Sequence, residues 1–512
     1  MSTMDYYEPR DDLDEPPLAQ SEPSPIQQVY QGAHIFITGA SGFMGKILME
    51  KLLRTCNVAQ IYILVRDKKG VKSQERLASI FDDKVFELLK VEKPGEIRKV
   101  KIIPGDCSLP DLGLSEEHKA LLSHVNFVFH VAATLAMDQH LRVAFVTNVL
   151  GTKFLLEFVR TLPYLKAFMY ISTAYTHAYR DLVEETFYDV VFDEEEVGQI
   201  CNQLDDEQIG ALTPKLIGKW GNTYALTKAF AENLISKYDK IIPIGVVRPS
   251  IVVSVWGDTP LRGWINNIYG AIGVVAGTAV GLLRLWCADP QMVADMVPVD
   301  IAINVTLAAA WEVATKNTNL KIYHSVSSKN PITYDILRTA NFGHGDSERM
   351  ETTKCIAVQW FFLVKNKTMF CLYSIWYHVI PAFFIDIFLQ LTGKKPQLMK
   401  IYAKVYNVNK SLMPYCVEKN ILFTSNNVDE MWDSLDPVDK RLFFFDLASM
   451  DWQEFWLYAL KGIRVYILND PMETVPQGIK HTRKMWIRKM VFDSVIWITF
   501  SYLAYIIFRN IF

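Results

Sequence analysis

From about residue 33 onward, short runs of β-branched and aromatic residues alternate with longer stretches whose apolar positions recur every three or four residues. The short runs are His34–Thr38, Ile61–Val65, Val100–Ile103, Phe127–Val131, Phe168–Ile171 and Ile244–Val247. Strands separated by helices pair in parallel, and strands buried on both faces read as continuous apolar runs. Six such strands predict an α/β fold, a doubly wound parallel sheet of the Rossmann type, with ligands bound beyond the strand C-termini.

Two segments break this rhythm. Between Asp181 and Gly218 lies an acidic insert that includes Glu184, Glu185, Asp189, Asp193 to Glu196 and Asp205 to Glu207, and it reads as a solvated helical flap. From about residue 355 the chain turns apolar in blocks. Ile356–Val364 and Met369–Leu391 are separated by Lys365 and Lys367, and the second block is broken by His378, Pro381 and Asp386. Such a block fits an interfacial or re-entrant helix, a membrane span, or the wall of a lipid tunnel. Gly270–Leu283 is a further apolar candidate for a tunnel wall or for plain core.

At the C-terminus, Met490–Phe508 carries Asp493 as its single charge and covers roughly 28 Å as a helix, close to a hydrocarbon core. Lys480, Arg483, Lys484, Arg488 and Lys489 precede it, which predicts a terminal transmembrane helix with the large domain on the cytosolic side. The alternative is a core helix apolar on every face. The expected domains are an acidic tail (1–30), an extended reductase-type sheet domain (31–350), a mainly helical domain (351–470), a basic linker (471–489) and the anchor (490–508). The tail holds Asp5, Glu8, Asp11, Asp12, Asp14 and Glu15 without an apolar signal core, and is expected to be disordered.

Composition adds three constraints. Half of the 512 residues are apolar and 12% are aromatic, so some apolar surface faces lipid or a greasy ligand. A formal net charge of −3 provides no basic field for nucleic acid. The seven cysteines are odd in number and form no CxxC pair, which argues for reduced thiols and against a thiolate metal site.

The first chemical signal is the turn Thr38-Gly39-Ala40-Ser41-Gly42-Phe43-Met44-Gly45-Lys46, between a strand and a helix. Glycines 39, 42 and 45 leave the backbone open to a pyrophosphate, and Thr38, Ser41 and Phe43 join them as candidate cofactor contacts. The second strand ends in Arg66-Asp67-Lys68-Lys69. Arg66 and Lys68 suit the 2′-phosphate of NADPH, whereas Asp67 keeps NADH open. Asp106, after the third strand, is a candidate for the adenine amino group, and Ala132, after the fourth, lets a dinucleotide lie against the backbone. Tyr224 and Lys228 form a YxxxK pair that stacks phenol and ammonium on one helix face, and Ser172 and Thr173 end the fifth strand with hydroxyls.

Glycine turn, strand-end hydroxyl and YxxxK together resemble the extended short-chain dehydrogenase/reductase superfamily. That resemblance implies Tyr224 as the acid, Lys228 as the group that lowers its pKa and holds the nicotinamide ribose, and Thr173 as the carbonyl-polarising hydroxyl, with Ser172 as the alternative. It places Asn148 at a helix bend and Pro249 beside the nicotinamide. A narrower resemblance runs over Pro104-Gly105-Asp106, Ile171 to Tyr175, Asn222 to Lys228, Val247 to Ser250, Gly263-Trp264 and Asp295 to Asp300. In these stretches the chain is similar to the alcohol-forming fatty acyl-CoA reductases. This implies reduction of a long-chain acyl-CoA to a primary alcohol with two NADPH, at a membrane of the endoplasmic reticulum in preference to the peroxisome. Other expected partners are membrane lipid, with a homo-oligomer left open and no metal. A sterol or sugar-nucleotide reductase, or a non-catalytic lipid-binding protein, is the competing reading.

Overall fold

The structure is a computed structural model that describes residues 22–67, 70–190, 192–257, 262–316, 320–342 and 351–511. The chain divides into two compact units. The first comprises Met1–Trp264, Met292–Thr333 and Lys410–Asp451; the second comprises Ile265–Gln291, Tyr334–Asn409 and Trp452–Phe512.

The first unit is built on a seven-stranded sheet. Its strands are β1 (His34–Thr38), β2 (Gln60–Val65), β3 (Val100–Pro104), β4 (Phe127–His130), β5 (Ala167–Ile171), β6 (Ile244–Pro249) and β7 (Lys321–Ser325). They lie in the order β7-β6-β5-β4-β1-β2-β3, and every pairing is parallel. The order reverses between β1 and β4, which opens a crevice at their C-terminal ends where doubly wound sheets bind ligands. Nearly all the residues of β1, β2, β5 and β6 are buried, as the continuous apolar runs require. The six expected strands form, and β7 adds a seventh. It supplies Ile322 and Tyr323 to the core while its remaining positions, Lys321, His324 and Ser325, are polar.

Helix α1 (Phe43–Thr55) follows the glycine turn directly and buries Ile47, Leu48, Met49, Leu52 and Leu53. Gly45 sits in its first turn because a β-carbon there would fall on the Gly39 carbonyl oxygen, and at Gly39 (φ +76°) one would lie 2.6 Å from the Ala132 nitrogen. The turn therefore brings the ends of β1 and β4 together only with glycine at these positions.

The acidic insert is helical, over Glu194–Gln203 and Asp206–Ile217, each begun by an aspartate capping box. It is less solvated than its charge suggests, since Val197, Cys201, Ile209 and Leu216 bury themselves against Leu141, Phe145 and Trp220. Two further features differ from the sequence boundaries. Residues 25–30, placed in the tail, form a helix with Ile26 and Tyr30 fully buried; residues 1–21 lie outside the described residues. Residues 410–451, placed in the helical domain, pack within the first unit: Asn427 Nδ2 donates to the Ile322 carbonyl at 2.8 Å, and Asp439 accepts from the Ile26 nitrogen at 3.2 Å. A segment that returns to an earlier sheet leaves no local mark on composition.

The second unit is mainly helical. Among the described residues one helix, Lys367–Leu391, is long and apolar enough to cross a membrane. The chain ends in a single helix, Val475–Ile511. All seven cysteines are free thiols.

Adding a methyl at Gly45 pushes α1 off the turn. Gly45→Ala is expected to lower stability by about 1–3 kcal/mol in urea unfolding and to weaken dinucleotide binding in the same preparation.

Candidate active site

Thr38 ends β1 with its hydroxyl 2.6 Å from His130 Nδ1, and His130 Nε2 lies 3.1 Å from the Thr152 hydroxyl. Burial pushes the His130 imidazole down to about 3, so it is a neutral spacer between β1 and β4. Above this link the glycine turn is open: Ser41 and Gly42 are exposed, and the N-cap of α1 is Gly42, which offers no side chain to the first helical N–H groups. Such a helix start accepts a phosphate, and a β-carbon at Gly39 or Gly45 would obstruct the approach. The turn thus fits a dinucleotide pyrophosphate. Phe43 stacks on Trp264 with ring centroids 5.4 Å apart, and Trp264 Nε1 donates to Asp83 at 3.1 Å, so Phe43 helps shape the wall beside the turn.

Beyond β2, Arg66 has 63% of its side chain exposed and only a 3.5 Å contact to Asp106. Asp67, also exposed, accepts from the Ser73 nitrogen at 2.8 Å. Asp106 is largely engaged in its own turn, accepting from the Ser108 nitrogen and hydroxyl at 3.0 and 2.9 Å. Lys68 lies outside the described residues. Ala132, in the loop after β4, is half-buried, and its nitrogen donates to the Thr38 hydroxyl at 3.4 Å.

Tyr224 and Lys228 lie on helix α2 (Thr223–Ser236), started by Asn222, whose side chain accepts from the Ala225 nitrogen at 2.8 Å. The helix is buried along most of its length, so its hydroxyl and amine groups are held by packing. Thr173 follows β5, its hydroxyl accepts from the Tyr175 nitrogen at 3.3 Å, and it interacts with the Tyr224 phenol. Burial raises the Tyr224 phenol well above its usual range, and the Thr173 contact opposes that rise. Lys228 is held elsewhere. Its Nζ donates to the Ile171 carbonyl at 2.6 Å and to the Tyr170 hydroxyl at 3.2 Å, and burial pushes its ammonium down to about 7. Ammonium and phenol are therefore one helical turn apart, and it is the backbone of β5 that fixes the ammonium. Asn148, in a π-helical turn, accepts from the Thr134 nitrogen at 2.9 Å and donates to Thr227 at 3.0 Å, which ties the loop after β4 to α2. Pro249 ends β6 in register with Ser325 of β7.

Ser172, the alternative to Thr173, is already engaged. Its hydroxyl donates to Glu232, and it lies 3.2 Å from the Thr176 hydroxyl. Glu232 also receives Arg248 through Nε at 2.9 Å and Nη2 at 2.6 Å. Both side chains are buried, yet the pair is saturated: Arg248 donates to the carbonyls of Glu184 and Thr186 at 3.1 and 3.0 Å and meets His324 Nε2 at 3.1 Å. Burial works against the Glu232 charge, but Arg248, His177 and Ser172 hold it below the usual carboxylate range. Glu232 was not singled out from the sequence. The available signal was an acid one turn beyond Lys228 on an otherwise apolar helix face.

The arrangement places a hydroxyl pair, Thr173 and Tyr224, at the strand ends next to an open phosphate-binding turn. That is suited to polarising a carbonyl and giving it a proton. Replacing Glu232 with Gln leaves Arg248 buried without its counter-charge, with an expected loss of about 3–5 kcal/mol at neutral pH. Because pairing depresses the Glu232 pKa, this contribution is complete above the ordinary carboxylate value of about 4.3 and is lost as pH falls through the folded value. Urea unfolding of wild type and Glu232→Gln is expected to show the gap narrowing on the acid side.

Comparison with known proteins agrees with this geometry. Two family descriptions match, both given as male sterility protein: an NAD-binding domain over residues 37–306 and a second domain over residues 377–470. The fatty acyl-CoA reductase "wat" of Drosophila melanogaster is 36% identical over 465 residues, covering 90% of this chain and 89% of that one. Fatty acyl-CoA reductase 1 of Xenopus laevis is 34% identical, and that of Homo sapiens 33%, each covering 92% of both chains. Among solved structures, the reductase domain of a Mycobacterium tuberculosis non-ribosomal peptide synthetase superposes with a TM-score of 0.55 at 19% identity, over 88% of this chain and 94% of that one. At that identity the likeness shows the fold. The sheet, the glycine turn and the matches over nine-tenths of the sequence converge, and the chain belongs to the fatty acyl-CoA reductase family of oxidoreductases.

Proposed function

We propose that this protein reduces a long-chain fatty acyl-CoA to the primary alcohol with two equivalents of NADPH, through an aldehyde that stays bound. The observation that carries this reading is the helix that ties Lys228 to the end of β5 and brings the Tyr224 phenol to Thr173, at the same end of the sheet as the open glycine turn, in a chain of this family. NADPH, held by the turn around Gly39, Gly42 and Gly45 and by Arg66, supplies one hydride per step. Thr173 and Tyr224 stabilise the oxyanion that develops on the thioester carbonyl, and collapse of the hemithioacetal expels the coenzyme A thiolate, which is then protonated. In the second step Tyr224 donates its proton to the alkoxide formed from the aldehyde. Lys228, with a pKa near 7, is poised one turn away to return a proton to Tyr224. Ser172, engaged with Glu232, supports the site from behind.

The cofactor preference follows from the β2 end. Arg66 is exposed and weakly paired, whereas Asp67, the group that would favour NADH, is engaged with Ser73. Membrane attachment is supported by the C-terminal helix, where Val491, Trp497, Ile498, Tyr502 and Phe508 are exposed beyond a basic stretch. A cytosolic reductase unit fits that charge order, at the endoplasmic reticulum or, as the alternative, the peroxisome.

The test is NADPH oxidation by the detergent-purified chain with acyl-CoAs of graded length, with products identified by mass. Tyr224→Phe is expected to lower kcat by about 10²–10⁴-fold with cofactor binding retained. Thr173→Ala is expected to lower it by about 10²–10³-fold, while Ser172→Ala lowers the melting temperature more than kcat. Equal turnover by wild type and Tyr224→Phe contradicts the reading. Arg66→Ala is expected to raise the KM for NADPH about tenfold and leave that for NADH unchanged; an equal change for both removes the 2′-phosphate assignment.

A further inference from the structure

The helix Lys367–Leu391 of the second unit (α3) is built inside out. Phe370, Ser374, His378, Ala382 and Asp386 recur every fourth residue and are buried, so the stripe turned toward protein carries the polar side chains. The other side is apolar and open: Trp376 is 66% exposed, Phe384 64%, Phe388 63% and Leu391 82%. A helix on a water-facing surface shows the reverse arrangement.

Its polar residues are fixed. His378 Nε2 accepts from the Arg284 nitrogen at 3.1 Å, and its ring stacks on Tyr402 with centroids 4.6 Å apart. Asp386 accepts from the backbone nitrogens of Gln397, Leu398 and Met399 at 3.0, 3.0 and 2.9 Å. These are the first donors of the helix Leu398–Met413 (α4), so Asp386 caps the helix that follows it. Gly393, with φ +74°, turns the chain between them. The two helices thus form a hairpin pinned at its tip, where Lys394, Lys395, Lys400 and Lys404 are exposed and carry no ion pair among the described residues.

This geometry does not suit a span. Were α3 to cross a bilayer, the capped start of α4 would be carried with it, and α4 would have to return through hydrocarbon with Lys404, Asn407, Asn409 and Lys410, where a lysine near the centre costs about 2.5–3.5 kcal/mol. A helix lying in the interface buries one apolar face only roughly 5–10 Å deep and leaves lysines free to reach lipid phosphates.

We propose that α3 is a monotopic membrane element: its Trp376–Phe384–Phe388–Leu391 face inserts below the headgroups of one leaflet, and the lysines at the hairpin tip bind anionic lipid phosphates. The occupant of this face is therefore a lipid surface. The proposal rests on the membrane reading above, but neither on the acyl-CoA reaction nor on a span at 490–508.

The test uses the full chain. Phe388→Cys is labelled with an environment-sensitive fluorophore, the labelled wild type serving as background for the native cysteines. It is reconstituted with phosphatidylcholine vesicles, with or without phosphatidylserine. Insertion predicts a blue shift, quenching of about twofold or more by acyl-brominated lipid, and tighter binding with phosphatidylserine. In sealed microsomes, Lys395→Cys is expected to react with a polymer-linked maleimide from the same side as the reductase unit, before permeabilisation. Protection of Lys395→Cys until detergent is added means that α3 crosses, and overturns the proposal. A vesicle-bound chain whose Phe388 label is not quenched means that protein, such as a second copy, covers the face, and overturns it alone. A chain that binds no vesicles overturns it together with the membrane reading.

Discussion

The ion pair between Glu232 and Arg248 is the constraint on which the candidate active site depends. Two opposite charges removed from water are tolerated only when the remaining donors and acceptors are also satisfied. Here the partners come from five places: α2, β6, the end of β5, the start of the acidic insert, and β7. Each satisfied contact fixes one element, so the pair sets the rotation of α2. That rotation decides which residues of the helix reach the strand ends. It also engages the Ser172 hydroxyl with Glu232, whereas Thr173 interacts with the Tyr224 phenol.

A second constraint is the close approach at the glycine turn. The β1 and β4 ends are tied through Thr38, His130 and Ala132, and the turn between β1 and α1 fits only without β-carbons at Gly39 and Gly45. The crevice at the strand reversal and the Tyr224 face of α2 are therefore built from the same sheet edge. The glycine turn and the Thr173 end of β5 share that end of the sheet because β1, β4 and β5 are neighbours.

The sheet was legible because its strands are buried on both faces. Apolar runs marked β1 to β6 with ends displaced by a residue or two, as at Gln60 of β2 and His130 of β4. β7 was hidden because Lys321, His324 and Ser325 break its apolar run. The glycine turn, Tyr224 and Lys228 were legible because their spacing is itself the chemical requirement. Glu232 was not, since its partner Arg248 lies on another element, and no period in the sequence links them. The return of residues 410–451 to the first unit, and the inverted polarity of the helix 367–391, were equally hidden. In the latter, His378 and Asp386 read as interruptions of an apolar run, whereas they are the residues that hold the helix to its unit.

If both reductions occur in sequence at the single Tyr224 site, the aldehyde is never released. The measurement to make is to supply acyl-CoA with NADPH deuterated at both C4 positions and to weigh the alcohol. The expected gain is about two mass units, both deuterons at C1, with no free aldehyde when a trapping amine is present. Trapped aldehyde, or an alcohol carrying a single deuteron, contradicts the single-site sequence.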